Sequence, residues 1–203
     1  MKILYLHWVR LGATGAVVLG VWLGFTWRSH GELTNLLWLS LISLFVHQCE
    51  EYLWPGGFPG MINRTLFASS APDRYPLNPR TSFIVNVYVG WGSYALAALL
   101  GARAPWLAIG TVLVSAANFL AHTFVFNIKG ETWWNPGQTT AIALFLPITF
   151  FVLRALSTNP SVRLIDWGAG AVLGGVLNYF GILKLITLLA DAGTPYRFLP
   201  PNA

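Results

Sequence analysis

The sequence predicts an all-α, polytopic membrane protein, a bundle of about six transmembrane helices. Three observations predict it. Of the 203 residues, 55% are hydrophobic and 9% are charged, against about 25% charged in soluble proteins. Apolar runs of near-spanning length recur from one end of the chain to the other. Ten Trp and seven Tyr supply the aromatic belts that mark membrane–water interfaces. The net charge of +5 is spread along the chain without a basic block, so it is assigned to membrane orientation and not to nucleic-acid binding. The lone Cys49 allows no internal disulfide and reads as a small helix-packing residue. Phe25-Thr26-Trp27-Arg28 lacks a small-residue cleavage site, so the first apolar stretch reads as a retained anchor.

One integral membrane domain is expected over residues 1–203. The first span is expected over 10–27, with Gly20 and Gly24 at a close-packing spacing. The second, over 34–53, ends in His47-Gln48-Cys49-Glu50-Glu51-Tyr52. The connection 54–80 carries Pro55, Pro59, Pro72, Pro76 and Pro79 beside Gly56, Gly57 and Gly60, and so cannot be one regular element. Its interleaved Trp54, Phe58, Phe67 and Tyr75 suit a lid over the membrane surface; the alternative is a solvated loop. The third span, over 81–101, holds Asn86, and the fourth, over 105–127, holds Asn118 and His122 at i, i+4. Asn135-Pro136 is expected to open the fifth, over 138–156. The sixth runs over 164–190, with Gly170 and Gly174 permitting tight packing.

Lys and Arg in short loops set orientation. Lys2, Arg10, Arg64, Arg74, Arg80, Lys129 and Arg197 fall on the N-terminal side, against Arg28, Arg103, Arg154 and Arg163 on the other. The N-terminus is therefore expected to be cytoplasmic.

This topology ends the second and fourth spans, and begins the third and fifth, at one membrane face. His47, Glu50, Glu51, Asn86, Asn118, His122 and Asn135 thus fall at one depth. On a helix, His47, Glu50 and Glu51 share a face. Adjacent buried acids repel unless a cation or protons neutralise them, and ionisable groups in a membrane mark function. A catalytic zinc takes three N/O ligands and keeps one position for water. His47, His122 and Glu51 would fill that shell, with Glu50 as general base and Asn86 and Asn118 as oxyanion or ligand supports. Helical geometry alone leaves the two glutamates interchangeable.

The expected protein is a membrane metalloenzyme, a hydrolase of a lipid-like substrate using a divalent metal, zinc before iron. Alternatives stay open. A di-iron centre of the bundle type uses about four carboxylates and two histidines, and here only Glu50, Glu51 and Glu131 are within range. A metal-free Glu–His pair could act in isomerisation or cyclisation. Ion or small-solute transport would need polar groups through the far half, which offers Ser40, Ser43, Thr111 and Ser115.

His47-x-x-Glu50-Glu51, the later His122 and Trp134-Asn135-Pro136-Gly137 together resemble the HXXEE-domain membrane proteins, a family defined by HxxEE, a second histidine and YxPG. The resemblance covers roughly residues 34–140, and Trp134 stands where that family has Tyr. It implies an enzyme of unspecified reaction, with His47, Glu50, Glu51 and His122 at its site.

Overall fold

The computed structural model describes residues 2–198, without the side chain of Lys2. That charge in the orientation count, and residues 1 and 199–203 of the expected 1–203 domain, lie outside the described residues. Every regular element among the described residues is helical. The long helices are α1 (Lys2–Thr26, closing in a tight turn at Trp27–Ser29) and α2 (Glu32–Tyr52), then α4 (Pro79–Arg103), α5 (Pro105–Lys129), α6 (Gln138–Ser157) and α7 (Leu164–Leu188). The short α3 (Phe58–Thr65) lies inside the Pro/Gly-rich connection.

Proline and polar caps place the helix starts. Pro79 and Pro105 stand in first turns, where no N–H is needed. Asn78 Oδ1 accepts the amides of Arg80 and Thr81 at 3.0 Å each. α1 begins at Lys2 and not near residue 10. His7 and Arg10 interrupt hydropathy, but neither breaks a helix. Its span Ile3–Ser29 has 27 residues, roughly 40 Å at about 1.5 Å per residue against a hydrocarbon core of about 30 Å. The surplus length, with His7 and Arg10 in the first turns, suits those turns to the interface.

α1, α4, α5, α6 and α7 are long and apolar enough to cross a membrane, which makes this an integral membrane protein. Trp54 and Trp133 at one face are 80% and 85% exposed, and Trp27 and Trp106 at the other are partly exposed, the two aromatic belts. α2 is 21 residues long and is not among the five. It is the central helix. Its buried face carries Leu33, Leu37, Leu41, Leu44 and Phe45 together with Ser40, His47, Gln48, Glu50 and Glu51, so protein and not lipid solvates it.

Three apolar clusters stack along the bundle. Leu37, Ala108, Val112 and Leu156 fill the far end; Leu41, Phe45, Tyr94 and Phe145 the middle; Phe58, Ile62, Val85 and Phe126 the end bearing the motif. Gly170 and Gly174 do allow close packing: a Cβ on Gly170 would lie 2.5 Å from Ile109 Cβ, and one on Gly174 2.9 Å from Leu113 Cβ. Gly20 and Gly24 do not, since nothing lies within 4 Å of either position. On α1 the close approaches are instead at Gly12, against Trp91, and at Gly15, against Phe45.

Four long helices each contain a widened, i→i+5 bonded stretch: Ile84–Trp91, Ala121–Val125, Ala141–Phe145 and Leu177–Lys184. Such stretches often mark functional positions. Three of them flank the polar end of α2.

Candidate metal centre

His47 and Glu51 project one turn apart from the last turns of α2, and His122 enters from the widened stretch of α5. One ligand atom from each lies within 4.8 Å of the others. Glu51 Oε1 is 3.5 Å from His47 Nε2 and 3.4 Å from His122 Nε2. All three residues are buried, His122 completely.

Hydrogen bonds assign the tautomer of each imidazole. Thr140 Oγ1 lies 2.5 Å from Glu50 Oε2 and donates to that carboxylate, which can only accept. The same oxygen, 2.9 Å from His47 Nδ1, then accepts from Nδ1–H. Asn135 uses its Nδ2 to donate to His122 O and Asn127 Oδ1, each at 2.7 Å. Its Oδ1 is therefore the atom 2.6 Å from His122 Nδ1, and it accepts from Nδ1–H. Among the described residues neither Nε2 atom has a hydrogen-bond partner, and in the neutral rings both turn a lone pair toward Glu51. Two lone pairs facing a carboxylate oxygen repel it unless a cation or a proton lies between them.

The donor set fits a small divalent metal. Ligands on a tetrahedral ion with bonds of about 2.0–2.1 Å stand about 3.3–3.4 Å apart, close to the two separations here. Nδ1–H groups held by Thr140 and Asn135 are the outer contacts that metal-binding histidines use to fix ring orientation.

Aromatic rings close the site. Phe145 packs against His47 at 4.5 Å between centroids, and Phe58 of α3 and Phe126 against His122 at 4.8 and 5.1 Å. Gly137 completes the wall. Its φ is +100°, and a Cβ there would collide with the His122 ring and come within 3.0 Å of His47 Cε1.

Several expected positions differ. Glu50 is not a free base: it caps α6, accepting the amides of Thr139 at 3.1 Å and Thr140 at 2.8 Å as well as the Thr140 hydroxyl. Asn86 is in another network. Its Oδ1 accepts from Gln48 Nε2 at 3.0 Å, and its Nδ2 donates to Tyr52 Oη and Ser82 O. Trp91 Nε1 extends that network to Gln48 Oε1 at 2.7 Å. Asn118 bonds back to Val114 O on its own helix at 3.0 Å. That bond holds its amide nitrogen on α5, and Asn118 is not among the residues gathered at the cluster. Asn135 does not begin α6, which starts at Gln138 behind Gly137; it orients His122. Glu131 is exposed, which removes one acid from any di-iron set. Thr140, Gly137 and Gln48 had no expected role, and Phe58 was expected only as a lid aromatic, not against His122. Only Gln48 and Gly137, lying inside the motifs, carried a sequence signal.

The fold and this cluster define a class: a polytopic membrane protein with a buried His–Glu–His site at one end of its bundle. The chain belongs to the family described as "Protein of unknown function with HXXEE motif", whose model matches residues 38–152. No curated protein and no solved structure gives a match.

Proposed function

We propose that the protein is a metal-dependent integral membrane enzyme, a hydrolase of a lipid-like substrate. His47, Glu51 and His122 would hold one divalent ion, zinc before iron. The observation that carries this reading is the pair of buried Nε2 atoms, each left as the ligand atom of a neutral ring whose Nδ1 is held by a partner, and each facing Glu51 Oε1 at 3.5 or 3.4 Å. A bound ion supplies Lewis acidity toward a carbonyl or phosphoryl oxygen. The chain's own contribution is positioning. Glu50 and Thr140 hold His47, Asn135 holds His122, and Phe58, Phe126 and Phe145 pack on the two imidazoles. α3, carrying Phe58 from the 54–80 connection, is the lid through which a substrate would enter. The Lys and Arg bias supports an N-terminus on the cytoplasmic side, which puts the site at that face.

A proton-sharing Glu51 flanked by two histidines is the alternative, serving metal-free isomerisation or cyclisation. Transport ranks last. Three of the four far-half hydroxyls are satisfied locally: Ser43 donates to Ser40 O, Thr111 to Leu107 O, and Ser115 pairs with Tyr94. The Ser40 hydroxyl alone, with no partner among the described residues, does not make a path.

The test is turnover of long-chain esters and amides by detergent-purified protein, stripped by chelator and reloaded with zinc or iron. The reading predicts hydrolysis that is lost on stripping, restored by metal and absent in Glu51→Gln. Turnover that survives stripping would move the function to the proton-sharing alternative, and iron-dependent oxygen uptake to an oxidase.

A further inference from the structure

A cavity of about 800 Å³ opens beside the metal-site end of the bundle, between the first turns of α1, the 53–79 connection and the segment 195–198. Its size is that of small-molecule sites, about 300–1,000 Å³. His7, Arg10, Arg64 and Arg197 line it, against Asp73 as the one acid among the described residues. Asp73 pairs with Arg197 within the wall at 3.4 Å and with Arg74 at 3.2 Å, which leaves Arg10 and Arg64 as the uncompensated cations. Among the described residues, Arg10 and Arg64 have no carboxylate partner.

We propose that this cavity binds the anionic, phosphate-bearing headgroup of a membrane lipid, with Arg10 and Arg64 as its cationic contacts. Three features support it. Two guanidinium groups without carboxylate partners line one concave site, and guanidinium is the side chain that meets phosphate oxygens bidentately. Headgroup depth also suits the cavity: α1 exceeds the hydrocarbon thickness, and the end that lines the cavity is the one carrying the polar His7 and Arg10. Aromatic side chains suited to that depth complete the wall, Tyr5, Trp8 and Tyr196 among them.

The cavity adjoins the metal site along the chain. Tyr52, next to Glu51, lines it, and so do Gly57 and Pro59 on either side of Phe58, whose ring packs on His122. A lipid held by its phosphate there would have Phe58 between it and the His–Glu–His cluster. This names the substrate class for the proposed enzyme. Turnover of that lipid rests on the metal reading; binding does not.

The experiment titrates full-length protein in an uncharged detergent with lysophosphatidic acid, monoacylglycerol of the same chain length, and inorganic phosphate. Aromatic fluorescence and native mass spectrometry read the binding. Metal content is measured in parallel, so failure of the cavity and failure of the metal site are told apart. Lysophosphatidic acid is expected to bind once per chain, at least tenfold more tightly than monoacylglycerol and 100-fold more tightly than phosphate. The Arg10→Gln/Arg64→Gln variant, with wild-type metal content and thermal transition, is expected to lose at least tenfold in lysophosphatidic acid affinity and none for monoacylglycerol. Equal wild-type binding of the charged and uncharged lipids would overturn the proposal without any variant. Unchanged affinity in the double variant would overturn the role of the arginines. Phosphate binding as tight as the lipid's would overturn the lipid and leave a free-anion site.

Discussion

Thr140 joins Glu50 to His47: its hydroxyl lies 2.5 Å from the Glu50 carboxylate and 2.9 Å from His47 Nδ1. The two neighbouring acids of the motif therefore do different work. Glu51 faces the imidazole Nε2 atoms, while Glu50 stands behind His47 and at the same time caps α6. A cap that is also an outer support couples the start of α6 to the orientation of a proposed ligand.

That coupling separates the two glutamates by experiment. Glu51→Gln is expected to reduce bound metal to near zero. Thr140→Val, which removes the bridging hydroxyl but keeps both capping amides, is expected to retain a stoichiometric site at about 10–100-fold lower affinity. Competition with a graded series of chelators measures both. Glu50→Gln is expected to add a stability loss of about 0.5–2 kcal/mol from the weakened cap, read by thermal unfolding in detergent.

Asn135 holds the second histidine. Asn135→Ala leaves His122 Nδ1–H and His122 O without their partner, at a cost of about 1–3 kcal/mol per unsatisfied buried group. Metal affinity should fall by a similar factor to that in Thr140→Val. Asn135→Asp keeps the acceptor but sets a carboxylate against Asn127 Oδ1 and Gln138 Oε1, which now accept from Asn135 Nδ2 at 2.7 and 3.1 Å. It should be the less stable variant of the two in the same thermal measurement.

Gly137 admits no side chain. Gly137→Ala is expected to lose the metal site outright, because the left-handed φ and the collision with both imidazoles act together. Stability, read from thermal unfolding, should fall by more than the ~1 kcal/mol typical of a backbone effect alone. A Gly137→Ala protein with wild-type metal content would show that the two rings do not meet at this residue.

Phe58 is expected to control entry. Phe58→Ala removes the ring over His122 and should speed chelator-driven metal loss severalfold while leaving its equilibrium affinity within about threefold, since no donor is altered. Stopped-flow stripping with a coloured chelator measures the rate.

Much of the architecture was legible in the sequence because proline and glycine punctuate it. Pro79, Pro105 and Pro136-Gly137 bracket helices whose ends fall within a few residues of their expected positions. The shared depth of His47, Glu51 and His122 followed from counting spans. The division of labour between Glu50 and Glu51 did not, because it depends on Thr140, 90 residues away from Glu50, and no local spacing encodes that contact. Asn118 differs for another reason: sharing a helix with His122 does not bring its carboxamide to the ligand atoms, and its Nδ2 bonds to Val114 O of the preceding turn instead. Gly20 and Gly24 had the right spacing on a face that meets no other helix. α1 was expected too short because hydropathy locates the hydrocarbon and not the helix.

If His47, Glu51 and His122 hold one divalent metal ion, the purified protein carries it in a fixed ratio. Elemental analysis of detergent-purified protein tests it most directly, with wild type beside His47→Ala, Glu51→Gln and His122→Ala. The account predicts about one zinc or iron per wild-type chain, lost in all three variants and kept in Asn118→Ala, whose side chain bonds only to its own helix. A folded wild-type protein that takes up no divalent metal when reloaded, or a metal that remains in all three variants, would contradict it.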